Sequence, residues 1–251
     1  MYIMKREVTN NPYIGVVVVS ILVIFLIIYF HAMQYTDTIK WSQHYYINLD
    51  HRDDRRKNVR KELKGLGISK PNRFPAIKNE LHGGIGCGMS HVGVLRNAKQ
   101  KGWDYVIVME DDIVFHDPEE TKRKINRVIN SDIQWDVIIV GSVVSEPTEY
   151  INDDCVRAMG GMSSTIMYIV KRHYYDTLID LWSKDMRLFQ NAILQDNGHR
   201  NDNIDAIYGK YAIDQTWKKL QKRDNFLSII PHKVWQIEEN NDSNIWDTHY
   251  E

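Results

Sequence analysis

The sequence predicts an α/β fold with a mostly parallel central sheet, preceded by one membrane-spanning helix. Three observations carry this expectation. Short β-branched and aromatic runs alternate with helical periodicities through the first half of the chain. The best of those runs, Tyr105-Val106-Ile107-Val108-Met109, ends abruptly in three acids, Glu110-Asp111-Asp112. Near the start, Ile14 to Phe30 is apolar throughout except for Ser20.

That apolar run, with Tyr13 and His31-Ala32-Met33 at its edges, reaches the ~20 residues that cross a bilayer. A cleaved signal peptide would have a shorter apolar core and a small-residue cleavage site, and no such site follows Phe30. A buried core helix would ordinarily show a polar face. Lys5 and Arg6 before the run, against Lys40 after it, favour a cytosolic N-terminus and a translocated domain. The sequon Asn241-Asp242-Ser243 is compatible with a lumenal domain. The expected organisation is a cytosolic tail and anchor (1–33), a short stem (34–42) and a catalytic domain (43–251). This describes a single-pass type II protein, with its domain in the ER or Golgi lumen in a eukaryotic setting.

The elements follow in order. His44 to Leu49 reads as a first strand. Arg55 to Leu66 is a helix with Val59, Leu63 and Leu66 on one face. Ser90 to Lys99 is a helix through Val92, Val94, Leu95 and Ala98. Asp104 to Met109 is a strand, Glu119 to Ile129 a helix, and Trp135 to Val140 a strand ending at Gly141. Thr165 to Val170 is a strand feeding a helix from Arg172 to Leu181. No repeat or low-complexity tract interrupts this domain.

Composition excludes several functions. The 251 residues carry a formal net charge of −1, so no global basic field is available to hold nucleic acid. Two cysteines, Cys87 and Cys155, do not make a disulfide scaffold, and no Cys/His spacing resembles a zinc site.

The chemistry concentrates in three blocks. Glu110-Asp111-Asp112 at a strand's carboxyl end lies where ligands bind in α/β sheets. Clustered acids repel and lose hydration there unless a cation offsets the cost, and carboxylate oxygens suit Mg²⁺ or Mn²⁺. A solvated acidic turn is the alternative. Tyr46-Ile47-Asn48-Leu49-Asp50, followed by Arg52, Arg55 and Arg56, suits a nucleotide: Asn48 and Asp50 can bond a base or ribose, and Arg52 and Arg55 can fork onto phosphate. An ordinary Asp/Arg-rich helix start, with Asp53 and Asp54 at the positive dipole end, is the simpler reading of this block taken alone. Gly83-Gly84-Ile85-Gly86-Cys87-Gly88-Met89-Ser90-His91 places glycines before the expected helix, letting backbone approach phosphate. Ser90 as a simple helix cap and His91 as a core histidine remain open. The spacing fits neither a Walker A loop nor a dinucleotide fingerprint.

Together, the Tyr46–Asp50 strand with its arginines, the Gly86-Cys87-x-x-Ser90-His91 block and the strand into Glu110-Asp111-Asp112 and Phe115 resemble glycosyltransferase family 25 over residues 44–117. The second half matches more loosely. Gly160-Gly161-Met162-Ser163-Ser164-Thr165 looks like the family's segment behind the sugar pocket. Ala212-Ile213-Asp214-Gln215 resembles its element near the acceptor, with Asn203-Ile204-Asp205 as a rival. Ser243-Asn244-Ile245 departs from the family's Ser-Asp-Ile.

The resemblance implies a GT-A-like nucleotide-binding sandwich. It implies transfer of a hexose, galactose or glucose, from a UDP-sugar to a glycan or protein hydroxyl with inversion. Asp111 and Asp112 would hold Mn²⁺ or Mg²⁺. Asn48, Asp50, Arg52, Arg55, Ser90, His91 and Glu110 would bind the donor, and Asp214, then Asp205, would serve as base. His232, Trp235 and Trp246 would line an acceptor groove or pack a C-terminal segment. Asn244 motivates an alternative, a non-catalytic anchored relative that binds sugar or a partner. A nucleotidyltransferase would also need acids around a metal, but the segment after Asp50 lacks its glycine-rich phosphate loop.

Overall fold

The computed structural model describes residues 12–34, 39–143, 147–195 and 203–236. Lys5, Arg6, Asn241, Asn244 and Trp246 lie outside them. The chain divides into two units, Met1–Thr38 and Ile39–Glu251.

The first unit holds helix α1 (Pro12–Gln34, 23 residues), which covers the apolar run. Its side chains from residue 15 to residue 27 are exposed. Among the described residues no helix is long and apolar enough to cross a membrane. The run from Ile14 to Phe30 extends past those described side chains at both ends, so the expected span is not shown.

The second unit is built on an eight-stranded sheet. Its strands are β1 (His44–Asn48), β2 (Arg73–Pro75), β3 (Tyr105–Glu110), β5 (Val137–Val143), β6 (Thr148–Tyr150), β7 (Cys155–Ala158), β8 (Ser163–Lys171) and β9 (Phe226–Ile229). Their order is β2-β1-β3-β8-β5-β9-β7-β6. A second ladder pairs β4 (Ile113–Phe115) with β10 (Val234–Gln236), antiparallel.

Successive strand residues face opposite layers. Val106 and Val108 point into one core cluster, and Ile107 and Met109 into the other. Both faces are covered, which is why these strands read as continuous apolar runs rather than alternating ones. Helices α3 (Gly83–Gln100) and α5 (Tyr175–Gln195) supply Leu95, Ala98, Leu178 and Trp182 to the first cluster. Helices α2 (Asp53–Gly65) and α4 (Pro118–Ile129) supply Val59, Leu63, Ile125 and Val128 to the second. Three short helices, α6 (Asn203–Tyr211), α7 (Ile213–Thr216) and α8 (Lys218–Gln221), lead into β9.

The sheet corrects the expected mostly parallel arrangement. Pairs β1/β2, β1/β3 and β5/β9 are parallel, but β8 lies between β3 and β5 and runs antiparallel to both. β7 is antiparallel to β9 and to β6. The reason is the connection. A parallel neighbour needs a crossover of a dozen or more residues, usually a helix. The route from β5 to β8 carries β6 and β7, and no helix is described along it.

The third expected helix is also corrected. α3 begins at Gly83, seven residues before Ser90, so the glycines lie inside the helix rather than in a loop before it. His82 is the N-cap, its Nδ1 accepting from Gly84 N at 2.9 Å. Tertiary packing overrides the low helix propensity of glycine here. A Cβ on Gly86 would run into the Ile77 carbonyl oxygen, and one on Gly88 into the Met186 side chain.

Candidate active site

Strand pairing brings the site together. β1 and β3 are parallel, with Ile47 opposite Glu110, so Asn48 and Asp111 leave the sheet side by side. β8 runs against β3 with Met167 opposite Met109, which returns Thr165 to the same edge. Glu110 is the last residue of β3. Asp111 and Asp112 form the two-residue turn before β4.

Asn48 is buried and locks this edge. Its Nδ2 donates to Asp111 Oδ2 at 2.7 Å and to the Arg52 carbonyl at 3.0 Å. Arg73 donates to Asn48 Oδ1 at 2.9 Å, to the Asn48 carbonyl at 2.8 Å, and to Asp50 Oδ1 at 2.6 Å. That last contact holds the exposed Asp50 carboxyl below its usual range. Arg55, in the first turn of α2, places Nη1 3.2 Å from Asp111 Oδ1 and 3.3 Å from Asp112 Oδ2.

The three acids are unequal. Asp112 is pushed up to about 7, chiefly by burial and then by Glu110, with Arg55 opposing. Asp111 is raised by burial, against its bonds from Asn48 and Arg55. Burial also works on Glu110, but His91, Thr165 and Arg55 outweigh it, and its carboxyl is lowered. Thr165 Oγ1 donates to Glu110 Oε1 at 2.7 Å.

Asp112 Oδ1 is buried and has no hydrogen-bond partner. An orphaned carboxylate oxygen is costly unless something positive meets it. Asp111 and Asp112, joined through Arg55, offer only oxygen ligands, the chemistry that Mn²⁺ or Mg²⁺ prefers. The residues present therefore fit a hard divalent ion.

Asp214 joins this edge from α7. Its Oδ2 accepts from Ser164 N at 3.0 Å and from Gln215 Nε2 at 3.1 Å. Ser164 has φ +78°, a left-handed conformation unusual for a non-glycine residue. The Asp214 carboxyl is raised by burial and further by Glu110, which places it within electrostatic reach of the acidic turn. Asp205 is exposed on α6 and exerts its charge on His82 instead.

Other expected donor ligands are committed elsewhere. Ser90 does not cap α3. Its Oγ donates to the Gly86 carbonyl at 2.7 Å and accepts from Ile77 N at 2.8 Å, pinning the loop before α3. His91 is fully buried, with Nδ1 2.7 Å from Tyr168 Oη, so it reaches the site only through Glu110. Arg52 binds Asp54 through Nε at 3.0 Å and Nη2 at 2.7 Å. His232 is half-buried, with Nδ1 3.4 Å from Ser142 Oγ, and Trp235 is 50% exposed on β10, opposite Val114 of β4. Arg73 and Tyr168 were not legible as site residues: one is an edge-strand arginine, the other an aromatic inside an apolar run.

An α/β layer structure with acids, arginine and asparagine at one sheet edge suits transfer of an activated group. Part of the chain is similar to a family of glycosyltransferases. Residues 75–187 match the model of glycosyltransferase family 25, described as an LPS biosynthesis protein. This span contains the Gly86–His91 and Glu110–Asp112 blocks, whereas the Tyr46–Asp50 block precedes it. No curated protein matches the chain. One solved structure, a glycosyltransferase involved in the glycosylation of the major capsid of PBCV-1, is similar with a TM-score of 0.39 and 7% identity. That likeness spans 75% of this chain and 91% of the other, and is too loose to carry an argument.

Proposed function

We propose that this protein is a glycosyltransferase that moves a hexose, galactose or glucose, from a UDP-sugar to a hydroxyl of a glycan or glycoprotein, with inversion and with Mn²⁺ or Mg²⁺. The observation that carries the metal and the diphosphate is the unpartnered Asp112 Oδ1, buried beside Asp111 and Glu110. Asp111 and Asp112 would hold the ion, which would supply charge neutralisation for the departing diphosphate.

The chain's own residues do the rest. Arg55 keeps Asp111 and Asp112 converged, and its guanidinium suits phosphate. Asn48 and Arg73 fix the adjoining strand end, with Asp50 at its rim for ribose or base. Thr165 fixes the Glu110 carboxylate by donating Oγ1 to its Oε1 at 2.7 Å. Asp214 is the preferred base. Its raised affinity for protons suits removal of an acceptor hydroxyl proton, and Ser164 and Gln215 orient it. The exposed ring of Trp235 offers a stacking face for an acceptor sugar. The N-terminal apolar helix is proposed as a type II anchor, supported by its length and by Lys5 and Arg6.

The test is UDP release from a panel of UDP-sugars with Mn²⁺ and with chelator. Release that requires both a UDP-sugar and the ion supports the proposal. Turnover unaffected by chelation contradicts its metal part.

A further inference from the structure

Cys87 and His91 are one turn apart on α3, so their side chains share a face. Glu110 meets that face from the end of β3. One ligand atom from each of the three lies within 4.8 Å of the other two. His91 Nε2 is buried without a hydrogen-bond partner and stands 3.5 Å from Glu110 Oε1. Its other nitrogen is fixed by Tyr168 Oη at 2.7 Å. Cys87 and Glu110 are partly exposed as residues.

The distances suit coordination. In a tetrahedral site with bonds of 2.0–2.3 Å, neighbouring ligand atoms sit roughly 3.3–3.8 Å apart. The His91–Glu110 separation already falls in that range, and the widest separation closes with shifts of about 1 Å. The donor set is sulfur, nitrogen and oxygen, softer than the all-oxygen set of Asp111 and Asp112.

We propose that Cys87, His91 and Glu110 form a binding site for a thiophilic divalent ion of the zinc class, distinct from the carboxylate pair of the acidic turn. Coordination breaks the Cys87 S–H bond, forms a sulfur–metal bond and passes the proton to solvent. It selects the His91 tautomer in which Nδ1–H donates to Tyr168 Oη and Nε2 offers its lone pair. Three protein ligands leave a fourth position for water.

The test titrates the metal-free full chain in detergent with Cd²⁺ alone and then with Zn²⁺. The expected result is an ultraviolet cadmium–thiolate charge-transfer band that saturates at one equivalent of Cd²⁺ and that Zn²⁺ displaces. Cys87→Ser should lose the band and weaken Zn²⁺ binding by about 10-fold or more, and His91→Gln should weaken it comparably while circular dichroism reports an intact fold. Cys155→Ser and Asp112→Asn should keep the band. No band in the wild type, a band that survives Cys87→Ser, or one lost in Cys155→Ser overturns the site. The titration reads no turnover, so it fails or succeeds independently of the transferase mechanism.

Discussion

Asp112 concentrates the physical tension of the site. Its carboxyl is pushed up to about 7, first by burial and then by the neighbouring acids. A carboxylate whose folded value exceeds its unfolded value of 3.8 binds protons more readily in the folded state. Its contribution is therefore favourable below about 4 and is lost as pH rises through about 7. Asp112→Asn removes that penalty. Without divalent ions, the variant's Tm should equal the wild type's near pH 4 and exceed it increasingly towards pH 8. A variant less stable at pH 8 than at pH 4, relative to wild type, would show that Arg55 already compensates Asp112.

Asp214 poses the complementary question at the same scale. Asp214→Asn should abolish transfer while UDP-sugar binding with Mn²⁺ survives, because the proposed donor contacts lie on β1, α2 and β3. Asp205→Asn should do less, since that side chain is exposed and acts on His82. The reverse order of damage would move the base to α6. A base must be unprotonated, so kcat should fall with acidification at a pH above the ordinary aspartate range, the direction in which burial moves Asp214. A pH profile that is unchanged in Asp205→Asn and flat in wild type down to pH 4 would exclude Asp214.

At the level of elements, α3 shows where sequence reasoning stopped. Its apolar half, Val92 to Ala98, announces a helix by periodicity. Its glycine half does not, because the reason for glycine there is a neighbour far along the chain. The prediction is a contrast. Gly86→Ala meets a backbone carbonyl that cannot yield, and should destabilise by about 1–3 kcal/mol in chemical denaturation. Gly88→Ala meets the flexible Met186 side chain and gains helix propensity, so it should be much milder. Equal losses, or a loss of donor affinity without loss of stability, would return the glycines to a phosphate-binding role.

The same contrast explains what else was legible. β1, β3 and β8 carry continuous apolar runs and α4 has a helical period, and the acids at Glu110–Asp112 end one of the runs, so these features could be read in order. The direction of β8 could not be read from its own residues. It follows from the connection after β5, along which no helix is described. Arg73 and Tyr168 join the site only through register and packing, which leave no mark on local composition.

On the scale of the whole molecule, the proposed type II anchor predicts that the α/β unit is protected inside sealed vesicles. Protease added to sealed microsomes should spare residues 43–251 until detergent is added. Digestion of that unit without detergent would reverse the proposed orientation. The sheet edge in turn links the fold to its chemistry, since β1, β3 and β8 deliver Asn48, the acidic turn and Thr165 to one place.

The most direct measurement is UDP release by purified full chain, with Mn²⁺ and with chelator, for wild type and Asp112→Asn side by side. The account predicts ion-dependent release in the wild type and a loss on the order of 10²-fold or more in the variant, with its fold intact by circular dichroism. Asp111→Asn should behave alike. Turnover in both variants equal to wild type, or release indifferent to the ion, would contradict the assignment of the acidic turn as the metal and diphosphate site.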